Sequence, residues 1–339
     1  MNNVNITPES TGGVSTGTAA EEQRSAQHRD DDSNPLISVI IPTYYRNDLL
    51  EEAIESVLTQ EYDPVEIIVV DDSGEGHAAP VLDRYEDDVT GIIREENGGD
   101  MVARTTGFEA SSGQYVHFLD DDDLFLEGKL SKSAAVLMDN SDVGCAYTGV
   151  RYTDGNSDWK VAPSPELSDN MLERALRFES TPCYTGSMLM RRQLLDEIFP
   201  PPQLPAANDS NLKIELAQRT AFGHVDEYLV QCRRMESEIW QGLGKIHGMR
   251  SVLETQADVY ERYPEVERDL RTRVNFQEGM IRLDNQLWSP KATLCFARAT
   301  SLATDDYLKY GGATVASLFG RPAFDGAGKL KSLLARGAG

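Results

Sequence analysis

Four consecutive carboxylates, Asp120, Asp121, Asp122 and Asp123, stand at the end of the apolar run Gln114 to Leu119. Ionised together they repel one another, so either their pKa values rise or a cation neutralises them; a divalent metal is the economical neutraliser. The cluster contains no His or Cys. An all-oxygen set favours Mg²⁺ or Mn²⁺ over zinc, held by one or two carboxylates and completed by substrate phosphates. The plain alternative is a solvated acidic loop on an already acidic chain, against which the place directly after an apolar strand speaks. A second acidic pair, Asp71-Asp72, follows the run Val65 to Val70, and the polar segment Thr43-Tyr44-Tyr45-Arg46 follows Leu36 to Ile41 and Pro42. A carboxylate of that pair can accept hydrogen bonds from a uracil N–H or from ribose hydroxyls, though Asp in such a place also serves as a plain helix cap. The Asn97-Gly98-Gly99 turn lets backbone approach a ligand closely, and Arg104, about one helical turn further, offers a phosphate contact.

These groups meet only if the elements before them are parallel strands of one sheet. Leu36 to Ile41 and Val65 to Val70 are β-branched and apolar on both faces, the signature of strands buried in a parallel sheet. Asp48 and Glu51 resemble a capping box, and Leu49, Leu50, Ala53, Ile54, Val57 and Leu58 recur at helical spacing after it. A weaker helix is expected over Ala78 to Tyr85, a short strand over Gly91 to Arg94, a helix over Asp100 to Ala110 and a strand over Gln114 to Leu119. The β-α-β-α-β-α-β order predicts a doubly wound, mostly parallel α/β sheet with helices on both faces. All strand carboxyl ends then share one rim, where separate acidic motifs converge.

Beyond about residue 145 the alternation weakens, and from about 240 to 318 amphipathic helices are expected, including Ser251 to Tyr260 and Lys291 to Ala303. The expected organisation is a disordered acidic tail at 1–34, a nucleotide-sugar-binding half at 35–145, an acceptor and catalytic-base half at 146–240, a helical appendage at 241–325 and a flexible basic tail at 326–339. The formal net charge of −24 repels nucleic-acid phosphate and excludes a nucleic-acid partner; read alone, it suggests a salty cytoplasm. The four cysteines are widely spaced, which argues against both a disulfide scaffold and a zinc site. The first thirty residues lack an apolar core for a signal peptide, and no apolar run is long enough to span a bilayer.

The segments ISVIIPTYYR, IIVVDDSG, ENGGDMVARTTGFEASSGQYVHFLDDDD and AANDSNLKIELAQR resemble the family 2 glycosyltransferases of GT-A fold, in particular those that build surface glycans and N-glycans in haloarchaea. The resemblance implies a Rossmann-like GT-A fold with a nucleotide-sugar donor bound by Pro42, Thr43, Tyr44, Arg46, Asp71, Asp72, Arg104, Asp120 and Asp121. The Asp-x-Asp element that binds metal and diphosphate in the family falls on Asp120 to Asp122, with Asp123 adjacent, so the resemblance implies Asp120, Asp122 and Asp123 as the metal ligands. The general base of the family falls on Asp209, with Asn208 where Glu is common; the plain alternative for Asp209 is a helix N-cap. Where many relatives carry a His this chain has Gln231-Cys232-Arg233-Arg234-Met235, so Arg233 or Arg234 is considered for the diphosphate. The implied reaction is metal-dependent, inverting transfer of a UDP-linked sugar to a hydroxyl of a glycan acceptor, such as a polyprenyl-phosphate-linked glycan for N-glycosylation or a surface polysaccharide. The expected location is cytoplasmic, with peripheral contact at the inner membrane face through the basic tail as an option. Two other readings are a haloacid-dehalogenase-type phosphatase, suggested by FLDDDDL, and an inactive sugar-nucleotide-binding scaffold.

Overall fold

The computed structural model describes residues 34–154, 157–233 and 242–326. The expected acidic tail up to residue 33, Arg234, and the basic segment from residue 327 lie outside the described residues. The first half builds as expected: β1 (Ile37–Thr43), α1 (Asn47–Leu58), β2 (Val65–Asp71), β3 (Val89–Ile93), α2 (Asp100–Ala110) and β4 (Tyr115–Phe118). The weaker helix shrinks to Ala79–Leu82 and a 3-10 turn, Asp83–Tyr85. Then come β5 (Asp123–Phe125), α3 (Lys129–Asp139), β6 (Val143–Thr153), β7 (Asp158–Val161), β8 (Met188–Arg191), α4 (Asn208–Ala217) and β9 (Ala221–Arg233).

The strands form a nine-stranded sheet in the order β3-β2-β1-β4-β8-β6-β9-β5, with β7 paired to β6. β1, β2, β3 and β4 are mutually parallel; β8 is antiparallel to both β4 and β6, so β6 and its parallel neighbour β9 point the same way as β1. The sheet is therefore mostly parallel and collects six carboxyl ends on one rim. It also passes through the boundary expected near residue 145, because β6 crosses it.

Two core layers explain the two-faced apolar runs. Ile37, Val39 and Ile41 pack on one side with Leu50, Ile54 and Val57 of α1, while Ile40, Ile68 and Val70 pack on the other with Ala103 and Phe108 of α2. Gly107 makes the second contact close: a Cβ there would lie 2.4 Å from Ile40 Cγ2.

Two local expectations need correction. α1 begins at Asn47 and its N-cap makes no side-chain bond, so Asp48 and Glu51 lie inside the helix and form no capping box. Asn47 instead ties the helix start to His77, donating to its carbonyl oxygen at 3.0 Å. The helix expected over Ser251 to Tyr260 is two: α5 (Gly242–Thr255) and Ala257–Glu261, broken at Gln256. Gln256 is buried there because its amide donates to Asn211 (2.8 Å) and Glu215 (2.7 Å), fixing the appendage to α4.

The appendage continues with α6 (Pro264–Asp284), α7 (Pro290–Leu302) and α8 (Tyr307–Ser317). α5 and the first half of α6 bury Met249, Leu253, Leu270 and Val274 against Leu176, Leu204 and Ile214. The last helices share a smaller cluster, Leu283, Ala292, Phe296 and Ala313. Among the described residues no helix is long and apolar enough to cross a membrane.

Candidate active site

The rim assembles around one buried guanidinium. Arg104, on the face of α2 that packs toward the sheet, has a side chain only 4% exposed. Its Nη2 donates to Asp120 at 2.7 Å, and its Nη1 donates to Asp209 at 2.9 Å and to Asp100 at 3.1 Å. Three carboxylates raise the guanidinium pKa despite its burial. Arg104 was expected to contact phosphate; here its Nη groups are engaged by carboxylates, and it joins the loop after β4 to the start of α4. The pairing with Asp100, four residues earlier on α2, is a readable helix signal that the sequence reading passed over.

The acidic run divides its labour. Burial, with Asp209 and Asp122 adding to it, outweighs the pull of Arg104 and pushes the Asp120 carboxyl up to about 6. Asp121 is inward and buried; it accepts Thr43 Oγ1 at 2.8 Å, the Tyr44 N–H at 3.4 Å and Arg46 Nη1 at 3.0 Å. Asp122 is partly exposed and accepts the same Arg46 Nη1 at 2.9 Å. Thr43 pairs in register with Asp71 across β1 and β2, so the first three motifs do meet at one edge.

Asp123 behaves differently. It lies in β5 opposite Cys232 of β9, is buried, and accepts the Tyr184 hydroxyl at 2.5 Å and the Arg233 N–H at 3.3 Å. Burial, then the neighbouring Asp120, lifts its carboxyl well above the usual range. The candidate ligand pair thus narrows to Asp120 and Asp122. Among the described residues no group of three His, Cys, Asp or Glu is arranged to hold a metal ion. Two partly exposed carboxylates do fit a hard divalent cation whose remaining ligands are diphosphate oxygens and water.

The acidic pair after β2 shapes loops. Asp71 is fully buried and accepts the N–H groups of Ser73 (2.9 Å) and Ala78 (2.7 Å). Asp72 accepts from Arg94, from Gly98 N–H at 2.9 Å and from Gly99 N–H at 2.7 Å. Gly99 has φ +85°, a conformation that L side chains rarely adopt, which explains glycine at the entry to α2. Pro42 is half-buried within β1, whereas Tyr44, Tyr45 and Arg46 stand exposed above it. Tyr45 is in the left-handed region (φ 58°), and its ring packs 4.7 Å from Tyr44 and 4.8 Å from His77.

Asp209 sits in the first turn of α4, where a carboxylate suits the helix dipole, yet the α4 N-cap makes no side-chain cap bond and the side chain of Asp209 points to Arg104. The unusual Asn208 has a definite partner: its amide donates to Asp100 at 3.0 Å, which a Glu carboxylate could not do, while its oxygen accepts Leu204 N–H at 2.8 Å. The Arg233 guanidinium pairs with Glu52. Tyr184 left no sequence signal, because it reaches Asp123 from a loop far along the chain. A cavity of about 510 Å³ lies elsewhere, lined by residues such as Arg177, Asp269, Arg273, Phe276 and Tyr310, and shares no residue with this cluster.

A mixed, mostly parallel sheet with acidic motifs at its carboxyl rim and C-terminal helices is the GT-A class of fold. Residues 38–199 match the sequence profile of glycosyl transferase family 2, and over that stretch the chain is similar to the family 2 glycosyltransferases. The chain is 36% identical over 139 residues to the Bacillus subtilis (strain 168) glycosyltransferase TuaG, which is provisionally named for teichuronic acid biosynthesis; the match covers 39% of this chain and 54% of that protein. The chain therefore spans about half the length of this curated relative. Among solved structures, the mannosyltransferase PcManGT from Pyrobaculum calidifontis, in complex with GDP-Man and Mn²⁺, aligns with TM-score 0.54 and 18% identity over 94% of this chain and 92% of that one. Residues 1–349 of S. aureus TarS in complex with UDP-GlcNAc align with TM-score 0.50 and 17% identity over 83% of this chain and 81% of that one. At such identities the structures speak for the fold. The phosphatase reading is set aside, since β4 is the fourth strand of the chain and lies within the matched family region.

Proposed function

We propose that the chain is an inverting glycosyltransferase that moves a sugar from a nucleotide-sugar, with UDP as the expected carrier, to a hydroxyl of a glycan acceptor. The observation that carries this reading is the Arg104 bridge, which brings Asp120 and Asp209 to one guanidinium from opposite halves of the chain. Asp209, with a side chain 35% exposed, is the base that takes the proton of the acceptor hydroxyl as that oxygen attacks the anomeric carbon. Attack from the face opposite the departing diphosphate inverts that carbon. Asp120 and Asp122 would hold a Mg²⁺ or Mn²⁺ ion, which when bound offsets charge on the leaving diphosphate. Arg46, half-exposed between Asp121 and Asp122, is near enough to that charge to turn toward it. Thr43, Tyr44 and the loops fixed by Asp71 and Asp72 form the floor of the base and ribose pocket.

For the acceptor the reading is a surface polysaccharide or a polyprenyl-phosphate-linked glycan for protein N-glycosylation; the relative named for teichuronic acid biosynthesis supports the first. The test is release of nucleoside diphosphate from a panel of nucleotide-sugars, with and without chelator and acceptor. Asp122→Ala should lose metal-stimulated donor binding. Chelator-insensitive binding and turnover would remove the metal from the proposal, and release of inorganic phosphate alone would restore the phosphatase reading. Donor binding without any turnover, with every acceptor tried, would favour an inactive scaffold.

A further inference from the structure

We infer that the outer face of the last helical hairpin is a docking surface for an anionic lipid bilayer, a site separate from the rim and independent of the proposed reaction. Large apolar side chains are exposed here in succession: Leu287, Trp288, Leu308, Val315, Leu318 and Phe319, with Leu308 94% and Phe319 74% exposed. Single exposed apolar residues are ordinary, but a contiguous patch calls for a partner.

The patch is contiguous. Leu308, Val315 and Phe319 are seven and four residues apart along α8 and its final turn, so they fall on one line of the helix. Between them Gly312 opens onto free space, with nothing within 4 Å of an added Cβ. The Leu287-Trp288 turn is fastened beside the end of that line: Trp288 Nε1 donates to Leu318 O at 3.1 Å and Arg321 N–H donates to Leu287 O at 2.8 Å. The hairpin does not need this face for its own core, since Phe296, Ala292 and Ala313 already pack inward with Leu283.

Charge selects the occupant. By sequence, residues 286–339 carry seven Lys and Arg against three Asp and no Glu, a net +4 in a chain of −24, and three of the seven, Lys329, Lys331 and Arg336, belong to the basic segment beyond the described residues. An anionic surface repels the bulk of the protein but attracts this end. Trp288, with its indole N–H satisfied and its ring exposed, suits the level of the lipid headgroups. With apolar residues on one face and no spanning helix among the described residues, the hairpin would lie in the interface plane.

The test is co-sedimentation of the full chain with vesicles of phosphatidylcholine alone or mixed with phosphatidylglycerol. Binding is expected with the anionic mixture and much less with phosphatidylcholine. Leu308→Asp and Phe319→Asp should each weaken it by about tenfold or more, the loss expected when a large apolar side chain no longer leaves water. Both residues are exposed, so thermal unfolding without lipid should match the parent and rule out misfolding. The inference is overturned if the chain stays in the supernatant with both lipids, binds both alike, or binds unchanged in the two variants. It is also overturned if light scattering finds a dimer that either substitution splits, since the face would then be covered by a second copy.

Discussion

Replacing Arg104 by Met keeps most of the side-chain volume and removes the charge on which three carboxylates converge. Breaking a buried ion pair from one side costs about 3–5 kcal/mol, because the partners keep their charge without compensation. Here the partners are not fully dry: the side chains of Asp120, Asp209 and Asp100 are 31%, 35% and 49% exposed, so water takes back part of that charge. The expected loss for Arg104→Met is therefore about 2–3 kcal/mol, read as a lower denaturant midpoint at unchanged slope. Arg104→Lys should recover little of it, since a single ammonium cannot reproduce a fork that reaches Asp120 with one nitrogen and Asp209 with the other. A double-mutant cycle with Asp209→Asn isolates the bridge and should give a coupling of about 1–3 kcal/mol. Chelator in every sample keeps stray cations from masking the effect. If Arg104→Met unfolds at the parent midpoint, or the cycle closes to zero, the three carboxylates do not depend on this side chain and the reasoning fails.

Asp209→Ala should leave donor binding near the parent value and reduce transfer by about 10²-fold or more, the usual worth of a positioned base; transfer at the parent rate assigns the base elsewhere. Lys129 is fully buried, donating to Ser187 O at 2.8 Å, and burial lowers its pKa to about 7 from 10.5. Between those values the unfolded chain binds more protons, so stability contributed through Lys129 rises with pH, by up to ~1.4 kcal/mol per unit. Lys129→Met should remove that slope, and parallel stability curves for the two proteins from pH 7 to 10 would contradict it. Gly107→Ala gains about 1 kcal/mol of helix propensity but forces a Cβ onto Ile40 at 2.4 Å, an overpacking that costs about 1–3 kcal/mol. A net loss of stability is expected in urea titration, and a raised midpoint would show that α2 can withdraw from the sheet.

The frame was readable because buried parallel strands write themselves as continuous β-branched runs: Ile37 to Ile41 and Val65 to Val70 could hardly be anything else. Periodicity likewise found α1, and the helix expected after the Asn97-Gly98-Gly99 turn has the observed ends of α2. Reading failed where a long-range partner decides the outcome. Gln256 breaks a helix through bonds to Asn211 and Glu215, and nothing in its neighbours announces them. Within the site, residue types and spacing found the rim but not the sharing of roles along it. Asp123 resembles its neighbours in sequence, yet strand β5 turns it toward Tyr184, 61 residues away. For Asp71 and Asp72 the sequence offered a helix cap beside the ligand role, and the structure instead gives both carboxylates the backbone amides of loops to hold.

The sheet leaves most of the candidate site residues to the segments that connect its strands. The strands fix register through side chains that face helices, while Tyr44, Arg46, Asp120, Asp122 and Asp209 all lie outside them. The segment 97–99 is pinned at both sides, by Asp72 and by the Gln203 amide on Gly98 O at 2.8 Å, and could be exchanged as a cassette as long as those two anchors stay. Such an exchange would change what this turn presents at the rim without disturbing the scaffold beneath.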